Sequence, residues 1–132
     1  MKTIQDTVLL LVDDEPHILS SLRRLFMRLG YQILTAENGQ VAFDMLKTTS
    51  VDMVISDYLM PVMNGGELLK RVHAEYPSIP LIMITGTTKI LDDTAVLELA
   101  DIFKIVSKPW DNLELIETVQ NALNKSHPPI IS

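Results

Sequence analysis

Four stretches of this 132-residue chain end in side chains suited to metal or phosphate chemistry. Asp13-Asp14-Glu15 follow the apolar run Val8–Val12, and Asp57 follows Val51–Ser56. Thr85-Gly86 follow Leu81–Ile84, and Lys108-Pro109 come just after Ile102–Val106. Carboxylates drawn together repel one another and persist only beside compensating positive charge. A hard divalent cation supplies it, and Mg²⁺ suits the task because it prefers carboxylate oxygens and keeps several waters. Lys108 offers a second, compact positive charge. A carboxylate held beside a metal and an ammonium can attack phosphorus and become an aspartyl phosphate. Such a transfer is catalysed mainly by positioning and by neutralising charge on the phosphoryl oxygens. Thr85 is placed to hydrogen-bond one of those oxygens, and Gly86 leaves room for the phosphoryl group beside the main chain. Taken singly, each residue has an ordinary role: acids favour helix N-termini, and Asp or Thr-Gly commonly ends a strand in a turn. Their coincidence at the ends of four separate runs is what points to chemistry.

The elements that must position these groups alternate along the chain. Val8–Val12 is apolar throughout, as in a strand covered on both faces. Pro16 suits the first turn of a helix, whose apolar face is Ile18, Leu22, Leu25 and Leu29, with Gly30 as its stop. Tyr31–Thr35 is the second strand, broken at Asn38-Gly39, and Gln40–Lys47 is the second helix. Val51–Ser56 is the third strand, and Glu67–Tyr76 the third helix. Leu81–Ile84 is the fourth strand, and Ile90–Ala100 the fourth helix. Ile102–Val106 is the fifth strand, and Leu113, Ile116, Val119 and Leu123 line a last amphipathic helix. Five strands alternating with five helices indicate an α/β domain with a single, mostly parallel, doubly wound sheet. Ligands of such sheets bind beyond the carboxyl ends of the strands, near a switch point in strand order.

Composition agrees with one globular domain: 47% of residues are hydrophobic and 21% charged,. The net charge of −6 disfavours nucleic acid and anionic membrane as partners. Absence of cysteine excludes disulfides and thiolate metal sites and fits a reducing cytoplasm. No apolar run approaches the roughly 20 residues of a spanning helix, and Val8–Val12 is too short for a signal peptide. A cytoplasmic, unprocessed chain is therefore expected. His17, His73 and His127 form no spaced metal motif, and Trp110 reads as a packing anchor.

Asp13-Asp14, Asp57, Thr85 and Lys108-Pro109 together resemble the signature of response-regulator receiver domains, and Ser56–Gly65 is similar to their phosphoacceptor loop. The likeness extends from about Thr7 to about Lys125. It implies a flavodoxin-like sheet of order 2-1-3-4-5, with residues 1–125 as the receiver and 126–132 as a flexible tail or linker stub. It further implies Asp57 as phosphoacceptor and Mg²⁺ as cofactor. The metal would be held by Asp14, Asp57 and the Leu59 backbone carbonyl, with Asp13 acting nearby or through water. Thr85 and Lys108 would hold the phosphoryl oxygens. The implied donor is a phosphohistidine on a histidine kinase or phosphotransfer protein. The implied read-out is the face of the fourth helix, fifth strand and fifth helix, serving an output domain, an effector or a homodimer formed on phosphorylation. The sequence departs from the family where an aromatic switch residue is usual, since Ile105 stands there and Phe103 two residues earlier. Ala100 replaces a common Gly. The Lys108–Asp111 run is similar to receivers that precede cyclic-dinucleotide phosphodiesterase or other enzymatic domains. A phosphatase of the haloacid-dehalogenase type fits less well: its nucleophile lies on the first strand in an Asp-x-Asp motif, and a cap domain encloses its substrate. A pseudo-receiver is opposed by the intact Asp57, Thr85 and Lys108. Because Lys108 sits at a strand end, its loss is expected to leave no core cavity and to cost the metal-free fold little.

Overall fold

The computed structural model describes residues 3–99 and 103–126, with the main chain alone at 95, 97, 103, 125 and 126. Five parallel strands, β1 (Val8–Val12), β2 (Gln32–Ala36), β3 (Met53–Asp57), β4 (Leu81–Thr85) and β5 (Phe103–Ser107), lie in the order β2-β1-β3-β4-β5. This is the expected doubly wound arrangement. The helices are α1 (Pro16–Arg28), α2 (Gly39–Thr48), α3 (Gly65–Glu75), a four-residue α4 (Thr94–Leu97) and α5 (Asn112–Ser126). No described helix is long and apolar enough to cross a membrane. Of the expected tail 126–132, Ser126 ends α5 and the rest lies outside the described residues, as do Ala100 and Ile102, assigned to the fourth helix and fifth strand.

The strand residues alternate between two layers, which fixes what each helix covers. Leu10, Val12, Val54, Leu81 and Met83 face α2, α3 and α4 through Ala42, Phe43, Leu46, Leu68, Leu69, Val72 and Val96. Leu9, Leu11, Met53, Ile55, Ile82, Ile84 and Val106 face α1 and α5 through Leu22, Phe26, Leu115 and Val119. Residues 53–57 and 81–85 are buried throughout, so β3 and β4 carry the continuous apolar character of covered parallel strands,. Trp110 packs against the α1/α5 layer, as a packing anchor should.

Local chemistry sets the element ends. The Gly30 N–H donates to the Met27 carbonyl and the Tyr31 N–H to the Phe26 carbonyl, with Gly30 at φ 102°. That is the Schellman ending of a helix, and the Phe26 and Tyr31 rings meet edge to face at 5.9 Å across it. Tyr31 is thereby held in the cap, and β2 starts one residue later than expected. Asn38 and Asn64 cap α2 and α3 by accepting from the Val41 and Glu67 N–H groups at 2.9 Å each,.

The largest departure is the expected helix Ile90–Ala100. A 3₁₀ turn over Lys89–Asp92 precedes α4. The Asp93 carboxylate accepts from the Val96 N–H at 3.2 Å, so the chain caps and restarts a helix where periodicity alone read straight through.

The loop from β3 to α3 contains a strained residue. Val62 has φ 70°, and the Met63 N–H donates to the Pro61 carbonyl at 2.7 Å. This is a γ-turn of the rare positive-φ kind, adopted by a β-branched residue that disfavours it. The Val62 side chain is 84% exposed, so its removal forfeits no packing. Val62→Gly is expected to stabilise the protein by about 0.5–1 kcal/mol, the left-handed penalty of about 1–2 kcal/mol less the added freedom of the unfolded chain. A raised urea midpoint at unchanged slope is the measurement.

Candidate functional site

The strand order reverses between β1 and β3, and the register aligns Val12 with Ser56, Asp57 with Ile84 and Thr85 with Ser107. The residues following each strand therefore emerge side by side at the carboxyl edge. Asp13 leaves β1 almost fully buried. Asp57 ends β3 and Thr85 ends β4, both also buried. Lys108 follows β5, its N–H donating to the Thr85 carbonyl at 3.0 Å, and the Lys108–Pro109 peptide is cis.

The Lys108 ammonium donates to Asp13 Oδ2 at 3.0 Å and to Asp57 Oδ2 at 3.1 Å. The second Asp13 oxygen accepts from the Glu15 N–H at 2.9 Å, which turns the chain into α1. Carboxylate oxygens of Asp13, Asp14, Glu15 and Asp57 all lie within 4.8 Å of one another. Asp14 and Glu15 are exposed. One ammonium balances only part of four negative charges. A divalent cation with oxygen preference fits that deficit and that donor set. Glu15 is the member not singled out from the sequence as a ligand candidate, although the run Asp13-Asp14-Glu15 carried the signal.

The balance of charge is visible in proton affinity. Burial raises the Asp57 carboxyl above its usual range; the charge and hydrogen bond of Lys108 oppose this, Asp13 adds to it, and a hydrogen bond from the Tyr58 N–H opposes it. Burial alone would lower the Lys108 ammonium, yet its bonds to Asp13 and Asp57 outweigh that and hold it above 10.5. Lys108 therefore stays charged at neutral pH.

Thr85 Oγ1 accepts from the Thr87 N–H at 3.2 Å. A side chain at Gly86 would meet only Lys108, at 3.5 Å, so the space there would admit alanine and glycine is not required for it. Leu59 is exposed in the loop after Asp57. Tyr58 is buried, and its hydroxyl donates to Asp93 Oδ2 at 2.9 Å. Burial first, then that bond and the nearby charge of Asp93, push the hydroxyl up to about 12. Ile105 is exposed on β5, while the side chain of Phe103 lies outside the described residues. His17 and His73 take no part in the cluster, and His127 lies outside the described residues.

Removal of Lys108 would strand two buried carboxylates, which argues against the expectation that its loss costs the metal-free fold little. Lys108→Ala is expected to destabilise the protein in chelator by about 1–3 kcal/mol, below the usual cost of breaking a fully buried pair because the lysine is partly exposed. Asp57→Asn should act in the opposite sense. The folded-state pKa of Asp57 is raised, so its penalty is absent below the unfolded value and complete above the folded one. The variant should melt higher than the parent at pH 7 in chelator, with the gain shrinking as pH falls towards 3.8. Thermal melts of both variants across pH check the pair of signs.

Comparison with known proteins places this geometry. The family model for the response regulator receiver domain matches residues 9–120. The transcriptional regulatory protein GlrR of Escherichia coli is 35% identical over 120 residues, 91% of this chain but 27% of that protein. The chain spans about half or less of the length of the first curated relatives it matches. Among solved structures, the signal receiver domain of an HD domain-containing protein from Pseudomonas fluorescens superposes with a TM-score of 0.86 at 34% identity, covering 93% of this chain and 98% of that one. The response regulator TrrA of Thermotoga maritima, in complex with Mg²⁺ and beryllofluoride, gives a TM-score of 0.79 at 29% identity, covering 88% and 98%. With fold, strand-end cluster and family model in agreement, the chain belongs to the response-regulator receiver domains of two-component signalling.

Proposed function

We propose that this receiver takes a phosphoryl group onto Asp57 from a phosphohistidine of a partner histidine kinase or phosphotransfer protein. The observation that carries the reading is the Lys108 ammonium bridging Asp13 and Asp57 in a cleft of four carboxylates. An Asp57 oxygen attacks phosphorus; the new O–P bond forms as the donor's N–P bond breaks, and the imidazole leaves with the bonding electrons and takes up a proton. Lys108 and Thr85 hold the phosphoryl oxygens. Asp14, Asp57 and the Leu59 carbonyl would hold Mg²⁺, with Asp13 contributing through water. The bound ion would neutralise charge that accumulates on the phosphoryl oxygens. Asp14 suits direct ligation because it is exposed, whereas both Asp13 oxygens already have partners. A Mg²⁺–beryllofluoride complex of TrrA supports the choice of metal.

The chain's own chemistry ends at this carboxylate, so it acts as a cytoplasmic switch and not as an enzyme on diffusible substrates. The face of α4, β5 and α5 carries the state of Asp57 to an output domain, an effector or a second copy. The relatives, being transcriptional regulators of greater length, support an output function beyond the receiver.

Incubation with acetyl phosphate and Mg²⁺ is expected to add one phosphoryl group by intact-protein mass spectrometry, and none in Asp57→Asn. Asp14→Ala should need at least about tenfold more Mg²⁺ for half-maximal labelling, the scale typical of disturbed metal shells. Full labelling of Asp57→Asn, or labelling of the parent in chelator, overturns the assignment.

A further inference from the structure

Tyr58 touches both ends of a path that leads out of the site. Tyr58 directly follows Asp57, the residue that ends β3. Its buried hydroxyl donates to Asp93 Oδ2 at 2.9 Å. The other oxygen of Asp93 accepts from the Val96 N–H at 3.2 Å and so caps α4. One carboxylate thus both starts α4 and fastens that start to the end of β3.

The surroundings are shaped for this contact. A side chain at Gly65 would fall 2.5 Å from the Asp57 carbonyl oxygen and 2.9 Å from Tyr58 Cα. One at Gly66 would fall 2.8 Å from Asp93 Oδ2 and 2.6 Å from Val96 Cγ2. The first turn of α3 is therefore pressed against both ends of the Tyr58–Asp93 link. A helix of four residues has no stability of its own, so α4 depends on its cap and on the burial of Ile90 and Val96. Ile105 offers no alternative, being exposed on β5 with neither ring nor hydroxyl.

We infer that Tyr58 is a positioning residue that couples the state of Asp57 to the placement of α4 through its hydrogen bond to Asp93. The inference rests on Asp57 being the phosphoacceptor. Modification of Asp57 acts on the main chain that Tyr58 continues, and the rigid tyrosine carries the displacement to the cap. A signal moves an equilibrium only by favouring one state over another, and this link gives the two states of Asp57 different demands on the α4 cap.

The variants separate the link from the cap. Tyr58→Phe keeps the ring and removes the hydroxyl. Asp93→Ser keeps a good cap but has a single oxygen, so it loses the link. Asp93→Asn retains both, the amide oxygen capping α4 and the amide N–H donating to the tyrosine oxygen. Amide NMR shifts are recorded for each with Mg²⁺ and saturating beryllofluoride, occupancy being read from the bound fluorine signal. Tyr58→Phe and Asp93→Ser are each expected to lose most of the beryllofluoride-induced shift at residues 90–96 while keeping it at Thr85 and Lys108. The double variant should lose no more, and Asp93→Asn should respond like the parent. A parental response at residues 90–96 in Tyr58→Phe or in Asp93→Ser, or its loss in Asp93→Asn, overturns the coupling. Absence of any beryllofluoride response at Thr85 and Lys108 in the parent would instead overturn the phosphoacceptor reading beneath it.

Discussion

The contact of the Lys108 ammonium with the carboxylates of Asp13 and Asp57 joins the ends of three strands that are not neighbours in sequence. β4 lies between β5 and β3, so the lysine and Asp57 side chains together bridge two inter-strand spacings, about 9–10 Å, and Asp13 reaches in from β1, one strand farther. A long, unbranched side chain does this while leaving its charged tip free. β4 must then end in something small enough to be crossed, and Thr85 meets that condition. β1 and β3 must be adjacent and in register for one ammonium to serve both acids, which the alignment of Val12 with Ser56 provides. The flat apolar layers above and below the sheet hold these ends in place.

The site is built at the expense of the fold. Asp57 is buried beside a second acid, and its carboxyl is raised despite the lysine. Residues optimised for stability alone would be apolar there. Val62 adds strain in the adjoining loop. Both features sit at the carboxyl edge of the sheet beside the acidic cluster, and neither is needed by the hydrophobic core. Excess negative charge in the metal-free cleft also makes it receptive to a cation, which relieves an existing tension,.

Much of this was legible in the sequence because it follows from short-range patterns. Continuous apolar runs such as Leu81–Ile84 mark strands covered on both faces, and their count and alternation with helices lead to the sheet. The acids and Lys108 were found because they stand immediately after such runs. Four features were not legible. Tyr31 reads as a strand residue, but its N–H is taken by the Phe26 carbonyl across Gly30. Ile90–Ala100 reads as one helix, but Asp93 competes for the main chain and restarts it. The bond between Tyr58 and Asp93 spans 35 positions, and nothing local announces a partner at that distance. The same holds for the stabilising share of Lys108, which depends on how deeply its two acids are buried.

The separation of the site's members along the chain has a consequence for how the molecule forms. Lys108 is 95 positions from Asp13 and 51 from Asp57, and β1 pairs with β3 across 44 positions, Leu9 with Met53. Closing such long loops costs entropy before contacts reward it, which makes parallel sheets slow to assemble. Until those loops close, chain length holds Lys108 away from both acids, and their charges meet only in the assembled site. Interactions absent from the transition state govern how fast a fold opens more than how fast it forms. Charge in the assembled cleft therefore bears on how fast the fold opens, and a metal ion held there would lengthen the life of the folded molecule.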